Sequence, residues 1–156
     1  MTGKLILAGT GHRRWDPVQA VSVQRWIRER LQALKPKKVI SGMALGFDTW
    51  LADEALAQGI PFLAAVPFEG QEWRWPERFQ EHHLELIRRA ADVHIVSKGP
   101  YSPKMFQIRN EWMVDHCNLL LAAWTGASGG TANCVAYATK VGREIENWRG
   151  EMHAAD

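Results

Sequence analysis

The sequence is poor in cysteine, in long apolar runs and in net charge. The only cysteines are Cys117 and Cys134. Because they lack the spacing of a metal site, no metal is expected, and two thiols of this kind predict a reducing, cytoplasmic setting. The longest apolar run, residues 119–124, is far too short to span a bilayer, so no membrane partner is expected. The formal net charge is only +2, so nucleic acid is not expected as a partner either.

The composition is that of a globular domain. Hydrophobic residues make up 46% of the 156 residues and charged residues 23%. This length is enough for one domain with a sheet covered on both faces. Residues 1–150 are therefore predicted to form a single domain, with 151–156 as a disordered tail.

Short apolar runs alternate with amphipathic patterns along the whole chain. Asp16 followed by Pro17 predicts the start of the first helix, with Asp16 as its N-cap. The alternation predicts an α/β fold, a Rossmann-like three-layer sandwich with a mainly parallel sheet of five to six strands. Strands are expected at residues 4–8, 38–41, 61–66, 93–96, 119–124 and, at an edge, 143–148; helices are expected at residues 17–34, 48–58, 76–91, 104–117 and 131–141.

Three glycine-bearing turns follow apolar runs and lead toward helices. Because the carboxyl ends of parallel strands meet at one edge of a sheet, these turns predict one crevice of backbone N–H groups, hydroxyls and helix N-termini. Such a crevice suits phosphate. The turns are Gly9, Thr10, Gly11, His12 and Arg13; Ser41, Gly42, Met43, Ala44, Leu45 and Gly46; and Gly126, Ala127, Ser128, Gly129, Gly130 and Thr131.

Side chains in and after the turns offer specific contacts. Arg13 can grip a phosphate in a fork, and His12 stands beside it. Thr131 can donate its hydroxyl where Gly129 and Gly130 open the last helix. Asp48 either caps a helix or binds a ribose hydroxyl, and the sequence leaves both roles open.

Arg109 falls within the apolar stripe of the helix predicted at residues 104–117. An inward guanidinium needs an anion or hydrogen-bond acceptors. Asp115 or Asp48 would satisfy it, and so would a phosphate or base of a ligand. The alternatives stay open.

The segment after the third strand is rich in aromatic residues. Phe68, Trp73 and Trp75 offer flat surfaces on which a base can stack, and Gln71 can read the edge of a base. For Trp73 and Trp75, packing within the loop is the favoured interpretation.

Taken together, these pieces resemble the SLOG superfamily and, within it, the YpsA-like bacterial proteins. The resemblance implies a Rossmann-like fold that binds nucleotides or derivatives such as ADP-ribose species; relatives include lonely-guy phosphoribohydrolases and the DNA-processing protein of natural transformation. It suggests a homodimer, and a nucleotide-type ligand is expected without a further cofactor. The expected ligand-binding residues are Gly9, Thr10, Gly11, His12, Arg13, Ser41, Gly42, Met43, Gly46, Asp48, Phe68, Gln71, Arg109, Asn110, Gly129, Gly130 and Thr131.

One departure from the lonely-guy pattern bears on catalysis. Those enzymes carry a catalytic Glu three residues after the Thr of their glycine motif, and here that position is Cys134. Cleavage of an N-glycosidic bond needs a group that stabilises positive charge on the ribose or directs water, which a thiol does poorly. Arg109 matches the arginine of the lonely-guy motif. The catalytic candidates are therefore Asp48, Glu69 and Arg109.

Three functions follow, in order of preference. The first is a nucleotide-binding protein, for AMP- or ADP-ribose-like ligands, that acts as a sensor or a ligand-sequestering module. The second is a nucleoside 5′-monophosphate phosphoribohydrolase. The third is a binder of single-stranded DNA that stacks bases on Trp15, Trp73 and Trp75.

Overall fold

The computed structural model describes residues 4–98 and 100–150. The expected disordered tail, residues 151–156, lies outside the described residues. Strands and helices alternate as the sequence predicts. The elements are β1 (Ile6–Gly11), α1 (Pro17–Leu34), β2 (Lys38–Ser41), α2 (Phe47–Ala57), β3 (Phe62–Phe68), α3 (Glu77–Arg89), β4 (Asp92–Ser97), α4 (Pro103–Asp115), β5 (Leu119–Ala123), α5 (Gly130–Val141) and β6 (Glu144–Asn147).

The six strands form one sheet in the order β4-β3-β2-β1-β5-β6, and every neighbouring pair is parallel. The predicted Rossmann-like α/β fold is confirmed, and the predicted edge strand is β6. The chain adds strands on one side of β1 up to β4 and then returns to place β5 on the other side. A crevice opens at the carboxyl ends of strands where the order reverses in this way, which is where such sheets bind ligands.

Helices cover both faces of the sheet, each over its own apolar core. The first core holds Val23 and Ile27 of α1, Phe47 of α2 and Leu86 of α3. The second holds side chains of α4 and α5, including Cys134. Because successive strand residues point to opposite faces, Leu7 and Ala8 of β1 fall into different cores.

The two ends of α1 follow from its sequence. Asp16 accepts a hydrogen bond from the backbone N–H of Gln19 at 2.9 Å, and Pro17 occupies the first turn, so the predicted N-cap is present. The helix ends at Leu34. The cap residue Lys35 adopts the left-handed conformation, and its N–H donates to the carbonyl of Leu31.

Two strands run further toward the crevice than predicted. Gly9, Thr10 and Gly11 are the last residues of β1 rather than a turn, because they pair with consecutive residues of β5. The third strand continues through Pro67 to Phe68, because Phe68 pairs with Ser97 of β4. Proline removes one donor without ending the strand here.

Three smaller findings complete the fold. Cys117 and Cys134 are free, buried thiols. Phe79 of α3 is 36% exposed and lies under the guanidinium of Arg78. Within residues 4–98 and 100–150, no helix combines the length and the apolar character needed to cross a membrane.

Candidate ligand-binding site

A cavity of about 880 Å³ opens at the carboxyl edge of the sheet. Its size falls in the upper part of the range for small-molecule sites, about 300–1,000 Å³. Side chains and backbone from the ends of β1 and β3 and from α2, α4, α5 and the loops between them form its walls. The lining residues are Thr10, Gly11, Arg13, Ala44, Asp48, Phe68, Glu69, Gly70, Gln71, Trp73, Arg74, Trp75, Pro100, Tyr101, Pro103, Phe106, Gln107, Arg109, Asn110, Gly130, Thr131 and Asn133.

Arg109 of α4 is only 5% exposed yet lines the cavity. Its Nε donates to Oδ1 of Asn110 at 3.0 Å, and its Nη1 donates to the carbonyls of Gly42 and Ala65. No acceptor among the described residues bonds Nη2. Because every fully buried side-chain N or O atom in the described residues has a partner, Nη2 is not fully buried, and Arg109 lines the cavity.

Asp48 lies in the first turn of α2, 6% exposed. Its Oδ2 accepts from the backbone N–H of Ala44 at 3.2 Å, so the carboxyl group braces the preceding turn and makes no capping bond to its own helix. Burial raises the pKa of Asp48 from 3.8 to about 6, although the positive charge of Arg109 opposes that rise. Burial also lowers the pKa of Arg109, which Asp48 opposes in turn.

The N-terminus of α5 faces the cavity through Gly130 and Thr131. The first N–H groups of a helix have no partner within it and carry a partial positive charge. Thr131 is 7% exposed, and no residue in the described stretches bonds its hydroxyl. The Nδ2 of Asn110 donates to the carbonyl of Gly130 at 3.3 Å and so ties α4 to this turn.

Aromatic rings form another part of the cavity wall. Phe68, Tyr101 and Phe106 meet edge to face, with ring centroids 5.4 to 6.0 Å apart. The Cζ of Arg109 lies 5.9 Å from the centroid of Phe106. Tyr101 is 66% exposed, and Trp73 on the neighbouring loop is 69% exposed. The wall therefore presents flat apolar surface next to a buried cation.

The two tryptophans of the loop between β3 and α3 differ in their packing. Trp75 packs edge to face on His83, with centroids 5.2 Å apart, as the packing interpretation expects. Trp73 is not buried in this way and turns its surface to the cavity. Gln71 donates through Nε2 to the carbonyl of Met43 at 3.3 Å, which joins this loop to the turn after β2.

A second cavity, of about 660 Å³, adjoins the first. Gly11, Arg13 and Thr131 line both cavities. His12 lines only the second; its Nε2 accepts from the backbone N–H of Thr125 at 3.1 Å, and burial lowers its pKa. The remaining lining residues are Arg14, Trp15, Asp16, Gln19, Leu45, Thr125 and Ala127.

Most of the residues expected to bind ligand are brought together by the fold. Those that line the first cavity are Thr10, Gly11, Arg13, Asp48, Phe68, Gln71, Arg109, Asn110, Gly130 and Thr131, and all three catalytic candidates, including Glu69, are among the lining residues. Those that line neither cavity are Gly9, Ser41, Gly42, Met43, Gly46 and Gly129.

Some of the residues that line neither cavity have clear structural roles. A Cβ on Gly9 would lie 2.9 Å from a ring carbon of Phe47, and one on Gly42 would lie 2.8 Å from Nη1 of Arg109. The Oγ of Ser41 donates to the carbonyl of Asp48 at 2.8 Å. Contact of these residues with a ligand stays a prediction.

Sequence reasoning missed part of the aromatic wall. Tyr101 and Phe106 come from the connection after β4 and the start of α4. The available signal was topological, since that connection leaves the same edge of the sheet as the glycine turns. Gln107 and Asn133 also line the cavity, and no feature of the sequence singled them out.

The fold and the site define a Rossmann-like protein with a crevice at the carboxyl edge of its sheet. The model of the YspA SLOG family matches residues 17–151, and the chain belongs to this family. The matched range begins after β1, so Gly9 to Arg13 lie outside it.

Curated relatives agree with this assignment. The chain is 27% identical over 139 residues to YoqJ, an SPbeta prophage-derived protein of Bacillus subtilis, covering 79% of this chain and 81% of YoqJ. It is 31% identical over 105 residues to a UPF0398 protein of Oceanobacillus iheyensis, covering 64% of this chain and 56% of that protein. The chain therefore spans just over half the length of the second relative.

Solved structures share the fold. DNA processing protein A of Streptococcus pneumoniae superposes with a TM-score of 0.73 at 21% identity, covering 97% of this chain and 52% of that one. DNA processing protein A of Helicobacter pylori superposes with a TM-score of 0.71 at 18% identity, covering 92% of this chain and 64% of that one. A molybdenum cofactor binding protein of Rippkaea orientalis superposes with a TM-score of 0.65 at 12% identity, covering 97% of this chain and 80% of that one.

One expectation is corrected by these structures. The Helicobacter pylori protein is described by its single-stranded DNA binding mode. The expectation that nucleic acid is not a partner is therefore wrong, because the argument for it does not hold. It rested on a net charge of +2, and a local groove with stacking surfaces does not require a strongly basic chain.

Proposed function

We propose that the chain binds a nucleotide or nucleotide derivative, AMP- or ADP-ribose-like, in the first cavity and acts as a sensor or a ligand-sequestering module. The observation that carries the proposal is Arg109. A guanidinium that is 5% exposed, lines a cavity and has Nη2 unbonded among the described residues is suited to an anionic ligand.

Phosphate is the anion that best matches the surroundings of Arg109. Thr131 offers a hydroxyl without a partner in the described part of the chain, and the N-terminus of α5 offers backbone N–H groups beside it. Both donate to an oxyanion, and the helix dipole favours negative charge at that end. The donors come from two helices that Asn110 holds together.

A base is the group that best matches the aromatic wall. Tyr101 and Trp73 are largely exposed and border the same cavity as Arg109. A stacked base buries such rings and gains about 1–3 kcal/mol from each contact. Phosphate donors and stacking surfaces in one cavity together favour a nucleotide over inorganic phosphate.

Binding without turnover is favoured over glycosidic cleavage. The residue three positions after Thr131 is Cys134, a buried thiol whose pKa is raised to about 12 by burial, so it supplies neither charge nor a base. Asp48 is the remaining buried carboxyl group in the cavity lining, and it already bonds Ala44. Chromatography of AMP after incubation with the protein should therefore return AMP without free adenine.

Isothermal titration calorimetry with AMP tests the proposal. Wild-type protein should bind AMP, and adenosine, which lacks the phosphate, should bind at least about tenfold more weakly. Arg109→Lys keeps the charge but loses the planar fork, and we expect about a tenfold loss of AMP affinity. Arg25→Lys, on the exposed face of α1, is the matched control and should bind AMP as wild type does.

Two results would contradict the proposal. One is the absence of AMP binding at millimolar concentration by a folded protein. The other is equal affinity for AMP and adenosine, which would leave Arg109 and Thr131 without a role in phosphate recognition.

Single-stranded nucleic acid is a second candidate for the same cavity. It is favoured by the exposed rings of Trp73 and Tyr101 and by the binding mode described for the Helicobacter pylori structure. Fluorescence anisotropy of a labelled oligothymidylate tests it. Binding that weakens with added salt and is displaced by AMP would support it, whereas an oligonucleotide that fails to bind would restrict the cavity to small ligands.

A further inference from the structure

Two groups of opposite charge flank the turn after β2. A Cβ on Gly42 would lie 2.8 Å from Nη1 of Arg109 and 2.9 Å from Oδ2 of Asp48, so both atoms lie against the same point of the turn. In the described stretches they form no ion pair with each other. Each bonds the backbone of the turn instead: Arg109 donates to the carbonyl of Gly42, and Asp48 accepts from the N–H of Ala44.

Each of the two groups also has an atom that no described residue bonds. For Arg109 this atom is Nη2, and for Asp48 it is Oδ1. Because every fully buried side-chain N or O atom in the described residues has a partner, Oδ1 is not fully buried. Both side chains line the first cavity, so an anion that binds Arg109 there also approaches the carboxyl group of Asp48.

Asp48 depends on nearby cations to hold a negative charge. Burial raises its pKa to about 6, and the charge of Arg109 and, more weakly, that of Arg13 oppose this rise. Cys134 of α5 also interacts with Asp48, but burial raises the pKa of this thiol to about 12, so it is neutral. Glu69, in the loop after β3, lines the cavity as a second carboxyl group. Arg109 is therefore the main support of the carboxylate.

A phosphate on Arg109 removes this support. It brings about two negative charges, which pair with the guanidinium and also repel the carboxylate of Asp48. Since like charges in a buried site cannot both be held without cost, the carboxyl group gains from binding a proton. A neutral carboxylic acid in such a site can donate a hydrogen bond to an oxyanion.

We infer that Asp48 takes up a proton from solution when a phosphate group binds in the first cavity, and that the resulting O–H on Oδ1 donates to the phosphate beside Arg109. Asp48 is then a phosphate ligand in its neutral form, and nucleotide binding becomes tighter as the pH falls. The inference rests on the proposed function, since a phosphate must bind at Arg109.

Isothermal titration calorimetry with AMP in Tris and in HEPES tests the inference, because the difference in buffer ionisation enthalpy reports the protons taken up. At about pH 7.5 free AMP is a dianion, since its second pKa is about 6. Asp48→Asn keeps an oxygen for the N–H of Ala44 and replaces the O–H by an amide N–H. Asp53→Asn is the matched control: it lies on the same helix, its pKa is also raised by burial, and it lines neither cavity.

Wild type and Asp53→Asn should take up about half a proton or more per AMP at this pH, and Asp48→Asn about none. The AMP affinity of wild type should fall about fivefold between about pH 7 and about pH 8, because the complex holds a proton that the free protein does not. The affinity of Asp48→Asn should stay constant over the same range. It should be at least that of wild type, because the amide donates without first binding a proton.

The outcomes separate this inference from the proposed function. Binding of AMP to wild type without proton uptake would overturn the inference and leave nucleotide binding in place. Uptake that persists in Asp48→Asn would also overturn it, because the proton would then lie on the phosphate or on His12. So would a folded Asp48→Asn variant, checked by thermal denaturation, that binds AMP about tenfold more weakly than wild type, since the charged carboxylate would then be the binding form. Absence of AMP binding by wild type would overturn both proposals.

Discussion

The glycines at the end of β1 and those at the start of α5 look alike in sequence but differ in their surroundings. A Cβ on Gly11 would lie 2.5 Å from Cβ of Phe47, and one on Gly9 would lie 2.9 Å from the ring of the same residue. A Cβ on Gly129 or Gly130 would meet nothing within 4 Å. A side chain at either glycine of the first pair would therefore meet protein atoms, and one at either glycine of the second pair would enter open space.

The difference separates two physical causes of one sequence pattern. At the end of β1, glycine lets α2 approach the strand closely, which fixes the position of Asp48 in the first turn of that helix. At the start of α5, Gly129 adopts a φ of 132°, a conformation essentially restricted to glycine, and Gly130 leaves the helix N-terminus accessible. The packed side positions side chains, and the open side leaves room for a ligand.

The largest effect expected from this comparison is on stability. Gly11→Ala forces a methyl group against the Cβ and ring of Phe47, atoms that cannot move without shifting α2. We expect it to lower the free energy of unfolding by about 3 kcal/mol, the upper end of the usual cost of overpacking. Urea denaturation followed by far-UV circular dichroism measures the change.

Gly130→Ala is the matched control for Gly11→Ala. Its Cβ meets no atom within 4 Å, and the position is helical, so the unfolding free energy should stay within about 0.5 kcal/mol of wild type or rise slightly. Similar losses in both variants would contradict the distinction between a packed and an open glycine pair.

The next effect is a pH dependence of stability caused by Asp48, which lies in the first turn of α2 beside the packed glycines of β1. Because burial raises the pKa of Asp48 from 3.8 to about 6, the folded chain holds this proton more tightly than the unfolded chain. The stabilisation is complete below about pH 4 and is lost as the pH rises through about 6, for a total of up to about 3 kcal/mol. Asp48→Asn has no such proton to lose.

The measurement is the unfolding free energy of wild type and Asp48→Asn by urea denaturation from about pH 4 to about pH 8. Across this range the difference should move in favour of the variant, with most of the change between about pH 4 and pH 7. A constant difference would mean that Asp48 titrates in the folded protein as it does in the unfolded chain, and that Arg109 compensates for its burial.

The alternating pattern of the sequence was enough to predict the architecture. It placed α1 and β2 at their observed bounds, because Asp16 and Pro17 mark the helix start and an apolar run marks the short strand. It ended β1 too early. Glycine is poor in strands by local propensity, but pairing of Gly9 and Gly11 with β5 overrides that preference, and only the tertiary structure supplies such pairing.

The sequence predicted many of the residues that line the cavity but not the hydrogen bonds that join them. The position of Arg109 in an apolar stripe predicted a buried guanidinium that needs acceptors. The sequence offered Asp115, Asp48 or a group of a ligand as its partner. In the structure Asp115 accepts from Tyr137, Arg109 donates to Asn110 and to the carbonyls of Gly42 and Ala65, and Asp48 acts on Arg109 through its charge. Backbone carbonyls carry no side-chain signature, so partners of this kind cannot be found from residue types.

The smallest expected effect sharpens the comparison on the open side. In Gly130→Ala the added methyl group enters the space beside the N-terminus of α5, where a phosphate would approach the backbone N–H groups. We expect AMP affinity to fall about fivefold by calorimetry while stability is unchanged. Ser128→Ala, an exposed change in the same loop outside both cavities, should bind AMP as wild type does. If Gly130→Ala also bound AMP like wild type, the open space at this helix would not be where the phosphate lies, and Arg13 would become the first residue to test in its place.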